Sequence, residues 1–169
     1  MIGKKKRLKT PVLVVLLIAI IAGGVLFVGA VAGWFGDTAV MLDEEYECKD
    51  EQCDLVELVN VQELLDEKKS FVVFIDQNGC KTADRLREFV TDYVKEEKVS
   101  IYKMMFSEMK KTVLNDYIKY YPSIAIIERG EVKYFLRADA DEDAEEYNNY
   151  EVFKKWMGEH LVLWKKQEN

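Results

Sequence analysis

Apolar positions fall into one long uninterrupted run followed by short periodic segments. From Pro11 to Phe35 no side chain is charged, and a helix over 11–35 rising about 1.5 Å per residue is long enough to cross a bilayer core of about 30 Å. Gly36 to Asp54 is acidic and poor in periodic apolar positions, and reads as a linker. Leu55–Val59 predicts a short strand. Asn60 predicts the N-cap of a helix over Val61–Lys69. Phe71–Ile75, a continuous β-branched and aromatic run, predicts a strand buried on both faces. Asp76-Gln77-Asn78-Gly79 is a polar turn. Leu86, Phe89, Val90, Tyr93 and Val94 set a helix from Cys80 to Glu97. Val99–Met105 reads as a strand and Ser107–Tyr120 as a helix. Ser123–Glu128 and Val132–Arg137 flank Arg129-Gly130-Glu131 as a hairpin. Asp139–Asn149 is an acidic loop, and Tyr150–Trp164 a closing helix. The order β-α-β-α-β-α-β-β-α predicts an α/β domain whose mixed sheet carries helices on both faces.

Charge gives the apolar run an orientation. Lys4, Lys5, Lys6, Arg7 and Lys9 precede it, while Asp37, Asp43, Glu44 and Glu45 follow. The bias predicts a single-pass segment with its amino terminus inside the cell membrane and its carboxy-terminal domain extracytoplasmic, at a Gram-positive-like surface or facing a periplasm. The expected partition is a cytoplasmic basic segment over 1–10, a transmembrane anchor over 11–35, an acidic linker over 36–54, the domain over 55–164 and a tail over 165–169. Cleavage after the small-residue sequence Ala30-Val31-Ala32 is the competing reading. The formal net charge of −7 excludes a nucleic-acid partner. A single histidine, His160, cannot supply a multi-histidine metal site, and no resident metal or cofactor is expected.

The strand–loop–helix junction Phe71-Val72-Val73-Phe74-Ile75-Asp76-Gln77-Asn78-Gly79-Cys80-Lys81-Thr82-Ala83 and the later Tyr121-Pro122-Ser123-Ile124-Ala125-Ile126 resemble the thioredoxin superfamily over roughly Leu55 to Leu163. Within it, the sequence is similar to the small thioredoxin-like bacteriocin-transport accessory proteins. The resemblance implies a thioredoxin-like fold with Cys80 as nucleophile and Pro122 as a cis-proline facing it. It also implies that Gly79 and Tyr121 lie where an extended polypeptide would bind. The physical case for Cys80 is that a helix N-terminus carries partial positive charge, which stabilises a thiolate.

The departures matter as much. The family's second cysteine falls on Ala83, so Cys80 cannot close the usual disulfide or release itself from a mixed one. If the chain is an enzyme, the resemblance implies a monothiol oxidoreductase or isomerase acting on exported, thiol-containing proteins. The rival is a non-catalytic interaction module, accessory to secretion or export, in which Cys80 is incidental. Cys48 and Cys53 are expected to form a structural disulfide in an oxidising compartment, with a resolving role toward Cys80 as the alternative. Asp139-x-Asp141-x-Asp143 has the opening spacing of a calcium loop, but Ala144 and Tyr150 stand where glycine and glutamate belong. Tyr117, Tyr120 and Trp156, at helical spacing, are expected in the core, with a peptide-binding groove beside Pro122 as the alternative. Tyr121 is expected to face a groove.

Overall fold

A stretch with no polar side chain from 71 to 75 has nothing to offer water on either face, so as a strand it must be covered on both. The computed structural model, which describes residues 38–48 and 53–164, puts this stretch at the middle of a sheet. Among the described residues the strands are β1 (Val40–Met41), β2 (Leu55–Glu57), β3 (Phe71–Asp76), β4 (Ile101–Met105), β5 (Ser123–Glu128), β6 (Glu131–Phe135) and β7 (Leu161–Val162). The helices are α1 (Val61–Asp66), α2 (Lys81–Glu97), α3 (Phe106–Met109) and α4 (Tyr150–His160). The main sheet has the order β2-β4-β3-β5-β6. β2 and β3 run parallel to β4, while β5 is antiparallel to β3 and to β6. Every residue of β3 is buried.

Successive β3 side chains point to opposite faces. Phe71 meets Tyr102 of β4, and both meet Tyr46 from the 3-10 turn Glu44–Tyr46, with ring centroids 5.5–6.3 Å apart. Leu64 of α1 lines the same hollow as Tyr46 and Tyr102. Asp76, on the opposite parity, faces α2 and is bound by Arg87. α4 packs on α2 through Phe153, which lies 6.1 Å from both Phe89 and Tyr93. This is the mixed sheet with helices on both faces that the element order predicts.

Several expectations need correction. Residues 39–48 are not a free linker: Val40, Leu42 and Tyr46 are buried in the core. β1 pairs in parallel with β7, Glu47 bridges Val99, and the Asp43 amide donates to the Ser70 carbonyl. Two paired residues are too few to carry a readable period, so the burial is invisible in the pattern. The closing helix stops at His160 because Leu161 and Val162 are taken by that pairing, and the Trp164 indole then donates to the Leu42 carbonyl at 2.9 Å. The helix read over Ser107–Tyr120 breaks into α3 and the 3-10 turn Val113–Asp116. Thr112 is the cause: its hydroxyl donates to the Met109 carbonyl at 2.7 Å and accepts from the Leu114 amide at 3.2 Å, ending one turn and capping the next. The basic segment over 1–10, the apolar run over 11–35, the Ala30-Val31-Ala32 sequence and the tail over 165–169 lie outside the described residues. Among the described residues no helix is long and apolar enough to cross a membrane.

The β5–β6 turn has positive φ at both central residues, 50° at Arg129 and 83° at Gly130, the geometry of a type I′ hairpin. A Cβ on Gly130 would strike the Leu65 carbonyl, whereas one on Gly79, at φ +74°, would meet open space. Gly79→Ala should therefore cost only the left-handed penalty of about 1 kcal/mol. Gly130→Ala should cost more than about 2 kcal/mol in denaturant unfolding, because backbone must also move.

Candidate functional site

Cys80 is the N-cap of α2, in extended backbone at φ −108° and ψ 116°, and its half-buried side chain caps no amide. The amides of the first helical turn lack intrahelical acceptors and carry the helix's partial positive charge. What sets this position is the end of β3. Asp76 is 2% exposed. Its carboxylate accepts Nε and Nη2 of Arg87 at 2.8 and 2.7 Å and the Gln77 amide at 2.7 Å. The bond to Asp76, opposed by desolvation and supported by a second contact to Asp84, holds the Arg87 guanidinium above its ordinary pKa. The strand end, the turn 77–79 and the second turn of α2 are thereby tied together. Sequence reading placed Asp76 in the turn and missed this. The available signal was a carboxylate closing an apolar run, with an arginine on the following helix.

The Tyr121–Pro122 peptide bond is cis. Pro122 and Tyr121 line one hollow with Cys80, of about 320 Å³, together with Thr82, Tyr147 and the segment Ala138–Asp141. Tyr147 donates its hydroxyl to the Pro122 carbonyl at 2.9 Å. Burial, then the nearby Asp143 and Asp139, push its phenol far above the usual range. This residue also escaped the sequence reading, although a lone tyrosine in an acidic loop is a usable sign of anchoring. Tyr121 is 42% exposed, its ring 4.7 Å from Phe106. Gly79 is exposed and does not line the hollow.

Ala83, the N3 residue of α2, is fully buried. At a helix start the N-cap and N3 side chains each reach toward the other residue's backbone amide, so a thiol at 83 would belong to the same first turn as Cys80, and here there is a methyl group. Cys48 and Cys53 are joined by a disulfide. The Cys48 amide donates to the carbonyl of Lys98 at 3.0 Å, and Lys98 is the C-cap of α2 whose N-cap is Cys80. A helix of 17 residues is about 25 Å long. The disulfide therefore lies at the wrong end of α2 to resolve a mixed disulfide on Cys80.

Of the aromatic residues expected in the core, Trp156 is half-buried against His160 at 4.7 Å. Tyr117 and Tyr120 are instead 51% and 55% exposed, because the helix that would have turned them inward is broken. In the Asp139–Asp143 run, Asp143 accepts the amide, Nε and Nη2 of Arg137 at 2.7, 3.2 and 3.1 Å, which commits its carboxylate. Among the described residues no group of three or more His, Cys, Asp or Glu is placed to hold a metal.

No family model and no curated relative matches this sequence. Among solved structures the chain is similar to the oxidised thioredoxin from Plasmodium falciparum, with 13% identity and a TM-score of 0.43, over 60% of this chain and 99% of that one.

Replacing Arg87 by methionine should leave Asp76 buried without its partner. The expected loss is about 2–4 kcal/mol, below the fully buried limit because Arg87 is itself partly exposed. A loss under about 0.5 kcal/mol in chemical denaturation would make this an ordinary surface pair.

Proposed function

We propose that the chain is a membrane-anchored, extracytoplasmic thioredoxin-like protein that handles disulfides of exported proteins with a single thiol, Cys80. One observation carries the reading: a cysteine at a helix N-cap and a cis-proline line the same hollow, with buried Ala83 where a second thiol would stand. The Cys48–Cys53 disulfide supports an oxidising compartment. The anchor and its orientation rest on the uncharged run from Pro11 to Phe35 and its flanking charges.

The chemistry follows from the missing thiol. The Cys80 thiolate attacks one sulfur of a substrate disulfide, a Cys80–substrate bond forms, and the other substrate sulfur leaves as thiolate. With a methyl at 83, the protein has no adjacent thiol to expel the substrate. Release comes when a substrate thiolate attacks the mixed disulfide, which returns Cys80 and leaves a substrate disulfide. The net step is redox-neutral isomerisation. Pro122, with its carbonyl held by Tyr147, and the exposed Tyr121 form the wall against which the polypeptide lies. The non-catalytic module remains the second reading, favoured by the same absence of a thiol at 83.

Two variants of the full-length protein separate these readings. On a substrate with scrambled disulfides, the wild type should accelerate rearrangement and Cys80→Ser should not. Equal rates for both would establish the non-catalytic module. Ala83→Cys should shorten the lifetime of a mixed disulfide on Cys80 by at least about tenfold, because the N3 thiol then attacks intramolecularly. An unchanged lifetime would show that positions 80 and 83 do not meet.

A further inference from the structure

The hollow that holds Cys80 does not end at Tyr121. A second hollow of about 200 Å³, lined by Tyr117, Tyr120 and Phe135, shares Ala138 and Asp139 with it. Three tyrosines at 117, 120 and 121, each at least 42% exposed, stand along this continuous surface. Large exposed aromatic residues gathered at one place mark an interaction surface rather than ordinary solvent exposure. Asp139 and Asp141 line the Cys80 hollow, and no lysine or arginine does. The tyrosine-side hollow is lined by Arg137, whose guanidinium is engaged by Asp143 and Glu142, and by Lys119, whose ammonium donates to the Asn115 carbonyl and keeps its charge, so the acidic character is confined to the Cys80 side. On its Cys80 side the surface therefore offers two carboxylates that make no salt bridge among the described residues, with Asp139 in the field of Arg137, next to aromatic faces. Guanidinium groups suit that combination, since they pair with carboxylates and stack on aromatic rings.

We infer that the surface from Tyr117 and Tyr120 across Ala138 to Asp139 and Asp141 docks an extended, arginine-bearing segment of a polypeptide. As a statement of substrate class this rests on the thiol reading above. Docking itself requires no thiol. The partner's arginines lie on the Asp139–Asp141 side, and its apolar residues lie on the tyrosines.

The test titrates the full-length protein with a labelled, cysteine-free peptide alternating arginine and valine, and with its counterpart carrying glutamate in place of arginine. The arginine peptide should bind, more weakly as salt rises, and the glutamate peptide should not. Asp139→Asn with Asp141→Asn should weaken binding about tenfold. Tyr117→Ser with Tyr120→Ser should do so to a similar degree. Glu108→Gln with Glu159→Gln, acidic positions elsewhere, should leave binding unchanged. Equal affinity for both peptides, binding of neither, or indifference to the Asp139/Asp141 pair would overturn the inference. If the tyrosine variant unfolds, the aspartate pair decides alone. Cys80→Ser should bind the arginine peptide as the wild type does. An inert Cys80 with intact docking would thus sink only the disulfide chemistry. An active Cys80 with no preference between peptides would sink only the docking surface.

Discussion

The Asp76–Arg87 pair is the constraint on which the candidate site depends. β3 is buried at every position, so its last residue must either be apolar or bring its own counterion. Asp76 brings Arg87, seven residues into the chain beyond Cys80 and on the face of α2 that meets the sheet. Both carboxylate oxygens are used, one of them also by the Gln77 amide. The exit of the strand and the start of the helix are thus held at a fixed separation. Cys80 becomes an N-cap beyond the carboxy-terminal end of the central strand instead of one more residue in a polar loop.

The facing wall is held in a comparable way. Tyr147 reaches out of the acidic segment to the Pro122 carbonyl, and Ser123 donates its hydroxyl to the Leu136 carbonyl at 2.7 Å. Arg137 closes the base of that segment by gathering Asp143. An acidic loop that composition alone describes as a solvated surface is therefore pinned at both ends, and two of its other carboxylates, Asp139 and Asp141, stand at the rim of the Cys80 hollow. One side of the hollow is set by a half-buried ion pair and the other by a buried phenol. The thiol lies between them.

Legibility in the sequence followed the length of each signal. The apolar run at 71–75, the helix from Cys80 to Glu97, the N-cap Asn60 and the Arg129-Gly130 turn are all local statements, and each is found in the structure. The errors lie where a distant partner overrides a local pattern. Val40 and Leu42 are core residues only because Leu161 and Val162 come to meet them. The same pairing ends the last helix early. Thr112 diverts a helical pattern through two hydrogen bonds of its own, which exposes Tyr117 and Tyr120. At the site, the family resemblance, rather than any spacing, led to the expectation of Cys80 at a helix start and Pro122 in a cis bond, and those two positions are what the structure has. Asp76, Arg87 and Tyr147 were not legible, because their roles exist only across contacts between separate segments.

The central claim is that Cys80 acts as a lone, accessible thiol in this setting. It is tested most directly by the rate at which Cys80 reacts with a small aromatic disulfide in the full-length protein, with Cys48 and Cys53 left oxidised. At neutral pH the account predicts a rate well above that of a free cysteine in an unstructured peptide, a stable mixed disulfide as product, and loss of both in Cys80→Ser. A rate at or below that of the free thiol, with no product retained, would contradict it.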